Sequence, residues 1–339
     1  MKKLLIILLL MSLGGNLMAT PEIEKKLFAD LAVGYGKSTT ASNKSIAAAY
    51  KAASDALLIA PPVVTPPPVV VPPVVVTPTG AVLAKDVGPR KALPALTQGD
   101  WNSTKHGEII DGLNVSGKIK IHHNNVTIRN FSAAGATQDP GMSGVFLEYG
   151  KIDGKNLIEN GFEWNNSTIR YVEFTGTVDA IKAMGNVTAE YNWIHDGHFY
   201  TGPEAGAGGY SHNDAVQISS GVAIVLRGNR VENWQGNAGF FADSDQGVIS
   251  NVLIEKNYFN NVGNYSVYVK GSANANAVQY GLPKNVTIRD NVFGKRRDDV
   301  PANWGRMAAE IHADGLVWTN NLDETTGKLL VLDSGGKAN

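Results

Sequence analysis

Short apolar stretches recur along most of the chain, each alternating with polar residues at a period of two. The clearest copies are "NNVTIRNF" from Asn124, "NSTIRYVEF" from Asn166, "NVTAEYNWI" from Asn186, "GVAIVLRGNRV" from Gly221, "NVLIEKNYF" from Asn251 and "NVTIRDNVF" from Asn285. Side chains along an extended strand point alternately to opposite faces, so each copy predicts a half-buried strand, a turn at Asn or Gly, and a second short strand. The copies begin roughly 20 to 40 residues apart, a spacing of stacked repeats rather than of independent hairpins. Between Gly80 and Asn339 no long stretch carries a 3.6-residue period with helix caps. The pattern therefore predicts an all-β solenoid over residues 81–339, in which each coil buries its apolar side against its neighbours.

The same alternation predicts which side chains face outward. With Ile181 and Ala183, Val216 and Ile218, Phe240 and Ala242, Val267 and Val269, and Ala309 and Ile311 taken as inward, three outward columns follow. The first is Lys182, Gln217, Phe241, Tyr268 and Glu310. The second is Met184, Ser219, Asp243, Lys270 and His312. The third, Ala180, Ala215, Gly239, Ser266 and Ala308, contains only small residues. A small-residue floor flanked by charges and two aromatics is expected to form a groove for a chain-like ligand. The glycine-rich insertion "HDGHFYTGPEAGAGGYSHND", from His195 to Asp214, enters at its edge and brings His198 and His212 with it. Asp179 and Asp214, which head two of the strands, are expected to turn inward or to cap backbone amides at a coil corner.

The region ahead of the repeats is of another kind. Met1-Lys2-Lys3, an apolar run from Leu4 to Leu13 and small residues up to Ala19 predict a secretory signal over residues 1–19. The run is shorter than the ~20 residues that span a bilayer, so no transmembrane anchor is expected after cleavage. Residues 20–60, rich in alanine and lysine, favour short helices with too little apolar bulk for a core, and are expected to dock to a surface or another protein. Residues 61–80, "PPVVTPPPVVVPPVVVTPTG", read as an extended polyproline spacer of roughly 3.1 Å per residue, on the order of 60 Å in all. The chain is thus expected outside the cytoplasm: secreted, periplasmic or on the cell surface.

Composition narrows the partners. The 339 residues are 43% hydrophobic and 18% charged, enough to bury a sizeable core, and the formal net charge of −1 gives no reason to expect nucleic acid. There is no cysteine, which removes disulfides, thiol nucleophiles and thiolate metal sites.

The Asn-Val-Thr-Ile-Arg-Asn repeats, the internal asparagines Asn192, Asn229, Asn257 and Asn291, and the element "HNDAVQI" from His212 resemble the right-handed parallel β-helix proteins of the pectate-lyase-like superfamily. The resemblance covers roughly Ile109 to Leu322. It implies a right-handed parallel β-helix, with the asparagines stacked as side-chain ladders at coil turns. Its members include lyases, hydrolases, epimerases, tailspikes and adhesins, so it implies an architecture more than an activity. The Asn-Val-Thr triplets at Asn125, Asn186 and Asn285 match a glycosylation sequon but begin repeat strands, and are read as structural.

Elimination across a uronic acid needs a cation to relieve the carboxylate, a base for the α-proton and an acid for the leaving oxygen. Lys270, Tyr268, Asp243 and His212 supply those types as candidate catalytic residues. Lys182, Gln217, Phe241, Glu310, His312 and His198 are the candidate substrate contacts. Asp214, Asp243 and Asp245 offer hard oxygens of the kind Ca²⁺ takes, and His195, His198 and His212 offer nitrogens for zinc without a helical zinc spacing. The expectation is a polysaccharide lyase acting on an acidic glycan, with a carbohydrate-binding, adhesive or structural solenoid as the alternative. A glycoside hydrolase is the second alternative, its carboxylate pair drawn from Asp214, Asp243 and Glu310. The polygalacturonase-like aspartate set and the Trp-Ile-Asp-His run of pectate lyases are both absent, the latter replaced by Trp193-Ile194-His195-Asp196.

Overall fold

A computed structural model describes residues 80–157, 160–163, 166–205, 209–270, 280–295, 297, 305–309, 315–333 and 337–338. The expected signal, helical segment and spacer, up to residue 79, lie outside the described residues, as do Glu310 and His312.

The described chain is nearly all β, in two long and mainly parallel sheets. Each strand pairs with its counterpart one coil later. Ile181–Met184 pairs with Asp214–Ser220, which pairs with Ala238–Ala242, then Tyr265–Val269, then Gly305–Ala309. This run belongs to a ten-stranded sheet, the first face of the solenoid. The sixteen-stranded sheet supplies two more faces: a second through Ser167–Arg170, Val187–Glu190, Ile224–Arg227, Ser250–Glu255 and Lys284–Arg289, and a third through Glu173–Thr175, Trp193–His195, Arg230–Glu232 and Tyr258–Asn260. Two short antiparallel strands cover edges in the last coils, Lys337–Ala338 on the first face and Lys328–Leu329 on the third.

The period-two sequence sets the inside. Ile181 and Ala183 are fully buried while Lys182 and Met184 between and after them are half-buried, and the second face repeats the pattern at Val187 and Ala189. The core filling is aromatic as well as aliphatic: Phe259 stacks on Phe293 at 5.2 Å and meets Phe240 edge-on at 4.9 Å.

The corner between second and third faces takes one left-handed residue per coil. Asn130, Tyr149, Tyr171, Tyr191, Gly228, Lys256, Asp290 and Asn320 all have φ between 51° and 62°. A left-handed residue with a side chain costs about 1–2 kcal/mol, so the corner needs compensation. It comes from the next position. Asn192, Asn229, Asn257, Asn291 and Asn321 are fully buried, and each of the first four donates its side-chain amide to the Oδ1 of the next at 2.9–3.0 Å. The other amide hydrogen goes to a backbone carbonyl, as from Asn229 to Ala189, and Oδ1 also accepts the backbone N–H of the preceding asparagine. No buried amide nitrogen or oxygen of this ladder is left without a partner in the dry interior, where each loss costs about 1–3 kcal/mol. On the outside of the same corner Tyr149, Tyr171 and Tyr191 stack at 5.0 and 5.4 Å.

Across this corner runs the segment that precedes the first coil, from the later coils back to the earliest. Val82 N–H binds the Gly228 carbonyl, Gly88 N–H that of Tyr171, Arg90 N–H the Oδ1 of Asn130, and Thr97 N–H the carbonyl of Asn114. Ala81 and Val82 are fully buried, and Arg90 lies over the Tyr149 ring at 4.8 Å.

Candidate functional site

On the first face the register pairs Glu163 with Lys182, Lys182 with Gln217, Gln217 with Phe241, and Phe241 with Tyr268. The final rung differs from the sequence expectation. Tyr268 pairs with Ala308, and Met307 and Ala309, not Ala309 and Ile311, stand beside Val267 and Val269. The strand Gly305–Ala309 thus sits two residues away from the expected register, with Ala308 where Glu310 was expected beside Tyr268.

Two further expectations fail for one reason: alternation stops at corners and bulges. At Ala180, Ala215 and Gly239 the small-residue column is not an outer floor. Ala180 and Ala215 are fully buried in the core cluster, and a Cβ on Gly239 would lie 2.5 Å from the Ser266 carbonyl oxygen and 3.1 Å from the Phe259 ring. These positions stand at the start of their strands beside a second inward residue, where the packed core, and at Gly239 the backbone of the next coil, leave room only for a small side chain. In the second column a register shift after Ala183 pairs Met184 with Ser220, and Ser219 is 2% exposed.

What remains outward is an aromatic row beside an ion pair. Tyr268 lies 5.3 Å from Phe241 and stacks on Tyr265 at 4.5 Å, with ring planes 34° and 21° apart. Phe241 is only 8% exposed, so it supports the tyrosines from beneath. Lys270 Nζ lies 2.7 Å from Asp243 Oδ2; the carboxylate is nearly buried and the ammonium about one-third exposed. Lys182 and Gln217 extend the face, both half-buried.

The insertion after His195 folds back on itself. Thr201 bridges Tyr210, Ser211 N–H binds the Tyr200 carbonyl, and Tyr200 N–H binds Ser211 Oγ. His198 stacks on Tyr200 and His212 lies against Tyr210, each at 5.5 Å. Asn213, fully buried, donates to the His198 carbonyl and pins the base of the loop.

The expected metal ligands are not gathered. Among the described residues no group of three or more His, Asp or Glu side chains is placed to hold an ion. Asp214 is 1% exposed and accepts from Asn237 Nδ2 at 3.0 Å, while Asp243 is engaged by Lys270. His195 is turned to the third face, with Nδ1 2.7 Å from Asp196 and Nε2 3.4 Å from Glu173. Burial opposes its charge, but the two carboxylates outweigh burial and push its pKa up.

Sequence reading missed Glu163, Tyr265, Glu173 and Trp193. Glu163 and Tyr265 could have been found by extending the outward column one coil back and by looking three residues ahead of Tyr268. Among the described residues no helix is long and apolar enough to cross a membrane. No protein-family model, curated protein or solved structure matches the chain.

Proposed function

We propose that the protein is a right-handed parallel β-helix of the pectate-lyase-like kind, exported, which binds an acidic polysaccharide along its first face. The observation that carries this reading is the row Phe241, Tyr268 and Tyr265 set on the same face as the Lys270–Asp243 pair. Stacked aromatics offer flat apolar surfaces to sugar rings, and a partly exposed ammonium offers a charge-assisted bond to a uronate. Parallel rungs about 4.8 Å apart repeat these contacts along a linear chain.

A second reading is favoured by one observation: Lys270, Asp243 and the Tyr268 phenol share that face, and they are the group types a β-elimination uses. In this reading a uronate displaces Asp243 from Lys270, the ammonium relieves its charge, and the released carboxylate takes the α-proton while the phenol serves the leaving oxygen. The hydrolase reading has less support, since Asp214 is 1% exposed and held by Asn237.

The test is direct. Wild-type protein and Tyr268→Ala are titrated with polygalacturonate, alginate and hyaluronan oligosaccharides. Tyr268→Ala should weaken binding by about 1–3 kcal/mol without changing the melting temperature. Absence of wild-type binding to every acidic glycan would sink the proposal. Appearance of unsaturated uronate absorbance, lost by roughly 10²–10⁴ in Lys270→Ala, would select the lyase over the binder.

A further inference from the structure

The third face ends in a second left-handed corner. Asp196, Asn233 and Asn261 stand there one per coil, with φ of 47°, 50° and 54°. Backbone bonds run between the rungs, from Asp196 N–H to the Glu232 carbonyl and from Asn233 N–H to that of Asn260. Glycine, asparagine and aspartate are the residues that adopt this backbone most readily. The geometry of the corner therefore presents a short amide or carboxylate outward at each coil, about 4.8 Å from the next.

Those three residues, with Asn156, Gln235 and Arg297, line a cleft of about 460 Å³. Its groups are held rather than loose. Asn261 Nδ2 donates to Asn233 Oδ1 at 2.8 Å, and Arg297 Nη2 faces Gln235 Oε1 at 3.5 Å. Behind Asp196 stands a network outside the first-face site: His195 Nδ1 at 2.7 Å, Glu173 beyond it, and Lys151 Nζ 2.7 Å from Glu173, with the Trp193 ring stacked on His195 at 3.6 Å. Gly197 also lines the cleft. A Cβ there would lie 2.8 Å from the buried Trp234 ring, so its missing side chain lets the indole back the cleft directly.

We infer that this corner cleft is a second oligosaccharide-binding site, separate from the aromatic row of the first face. Carboxamides both donate and accept, which suits the paired hydroxyls of a sugar ring. Asp196, fixed by His195, accepts from a hydroxyl, and Arg297 meets a sugar carboxylate through its planar fork. The uronate class of the ligand rests on the function proposed above; the place and amide chemistry of the cleft do not.

Titration of the full chain with uronate hexasaccharides, read by calorimetry for stoichiometry, tests this. Asn233→Gly keeps a residue suited to positive φ while deleting the amide, and Arg297→Ala removes the cation. The wild type should bind at two sites. The double variant should lose one site, or weaken it by roughly tenfold, with an unchanged melt. Tyr268→Ala should affect only the other site. Unchanged affinity and stoichiometry in the double variant would overturn the inference while leaving the first-face reading intact. Loss of all binding in the double variant, with Tyr268→Ala silent, would support the corner site and sink the first-face reading. No wild-type binding to any hexasaccharide would overturn both.

Discussion

Asp179 and Asp214 stand one coil apart with both carboxyl groups out of water, the Asp214 N–H bound to Asp179 Oδ1 at 2.9 Å. Burial pushes Asp179 up to about 6, and burial followed by the charge of Asp179 pushes Asp214 well above the ordinary range. Folded protein thus holds these protons more tightly than unfolded chain does. Stability from the pair is present below pH 4 and is lost as pH rises through about 6. Asp214→Asn keeps an oxygen for Asn237 and removes one ionisation, so it should raise stability at pH 7 relative to pH 4 and flatten the slope between them. Thermal melts across that range check it; an unchanged slope would mean the pair is ionised at no cost. In the sequence, "VDA" and "NDA" were legible as corner-capping residues. That the two corners lie in adjacent coils, so that two charges compete for one dry site, depends on contacts 35 residues apart.

At the scale of the element, the second face carries an alternation of its own. Its register sets Asp111, Arg129, Glu148, Arg170, Glu190, Arg227, Glu255 and Arg289 side by side in order, positive beside negative at every step. Glu148 is held by Arg129 and Arg170 at 3.3 and 2.7 Å, and Glu255 by Arg227 and Arg289 at 2.5 and 2.7 Å. Burial alone would raise the pKa of Glu255, and the two arginines outweigh it and lower it. Swapping two neighbouring strands would bring like charges together, so the row selects the order of coils as well as bonding them. Glu255→Gln should cost about 1–3 kcal/mol, measured by denaturant titration, because Arg227 and Arg289 lose their shared partner. A loss that persists undiminished in high salt would point instead to packing. Each strand was visible in the chain because β-branched residues alternate with polar ones. The charge alternation was equally visible, in "TIR", "AEY", "VLR" and "IEK", but acquires meaning only once the strands are placed side by side. The final strand was misplaced because "GRMAAEIHA" satisfies a period of two in either of two registers, and no large residue breaks the tie. The candidate groove suffered most, since a run of small residues looks the same whether it floors a cleft or clears space for Phe259 and the backbone of the next coil.

For the whole molecule, nearest-neighbour stacking would make each coil answer only to the next. The segment from Gly80 to Thr97 changes that, because it touches the early, middle and late coils at once. Val82→Asp places a charge at a fully buried position bridging to Gly228, and should lower the melting temperature by several degrees and broaden the transition. An unaltered melt would show that the coils hold together without the segment. Its path also sets an order of events. Ala81 packs with Tyr258 and Val292, so the partner surface of the earliest described residues is finished only when the chain has been made through about residue 292. A polypeptide emerging from its N-terminus can stack coil upon coil as it appears, yet must hold this leading stretch unplaced until more than two hundred later residues have arrived. The first of these residues to be made are thus among the last to find their seat, and their docking marks a nearly completed solenoid.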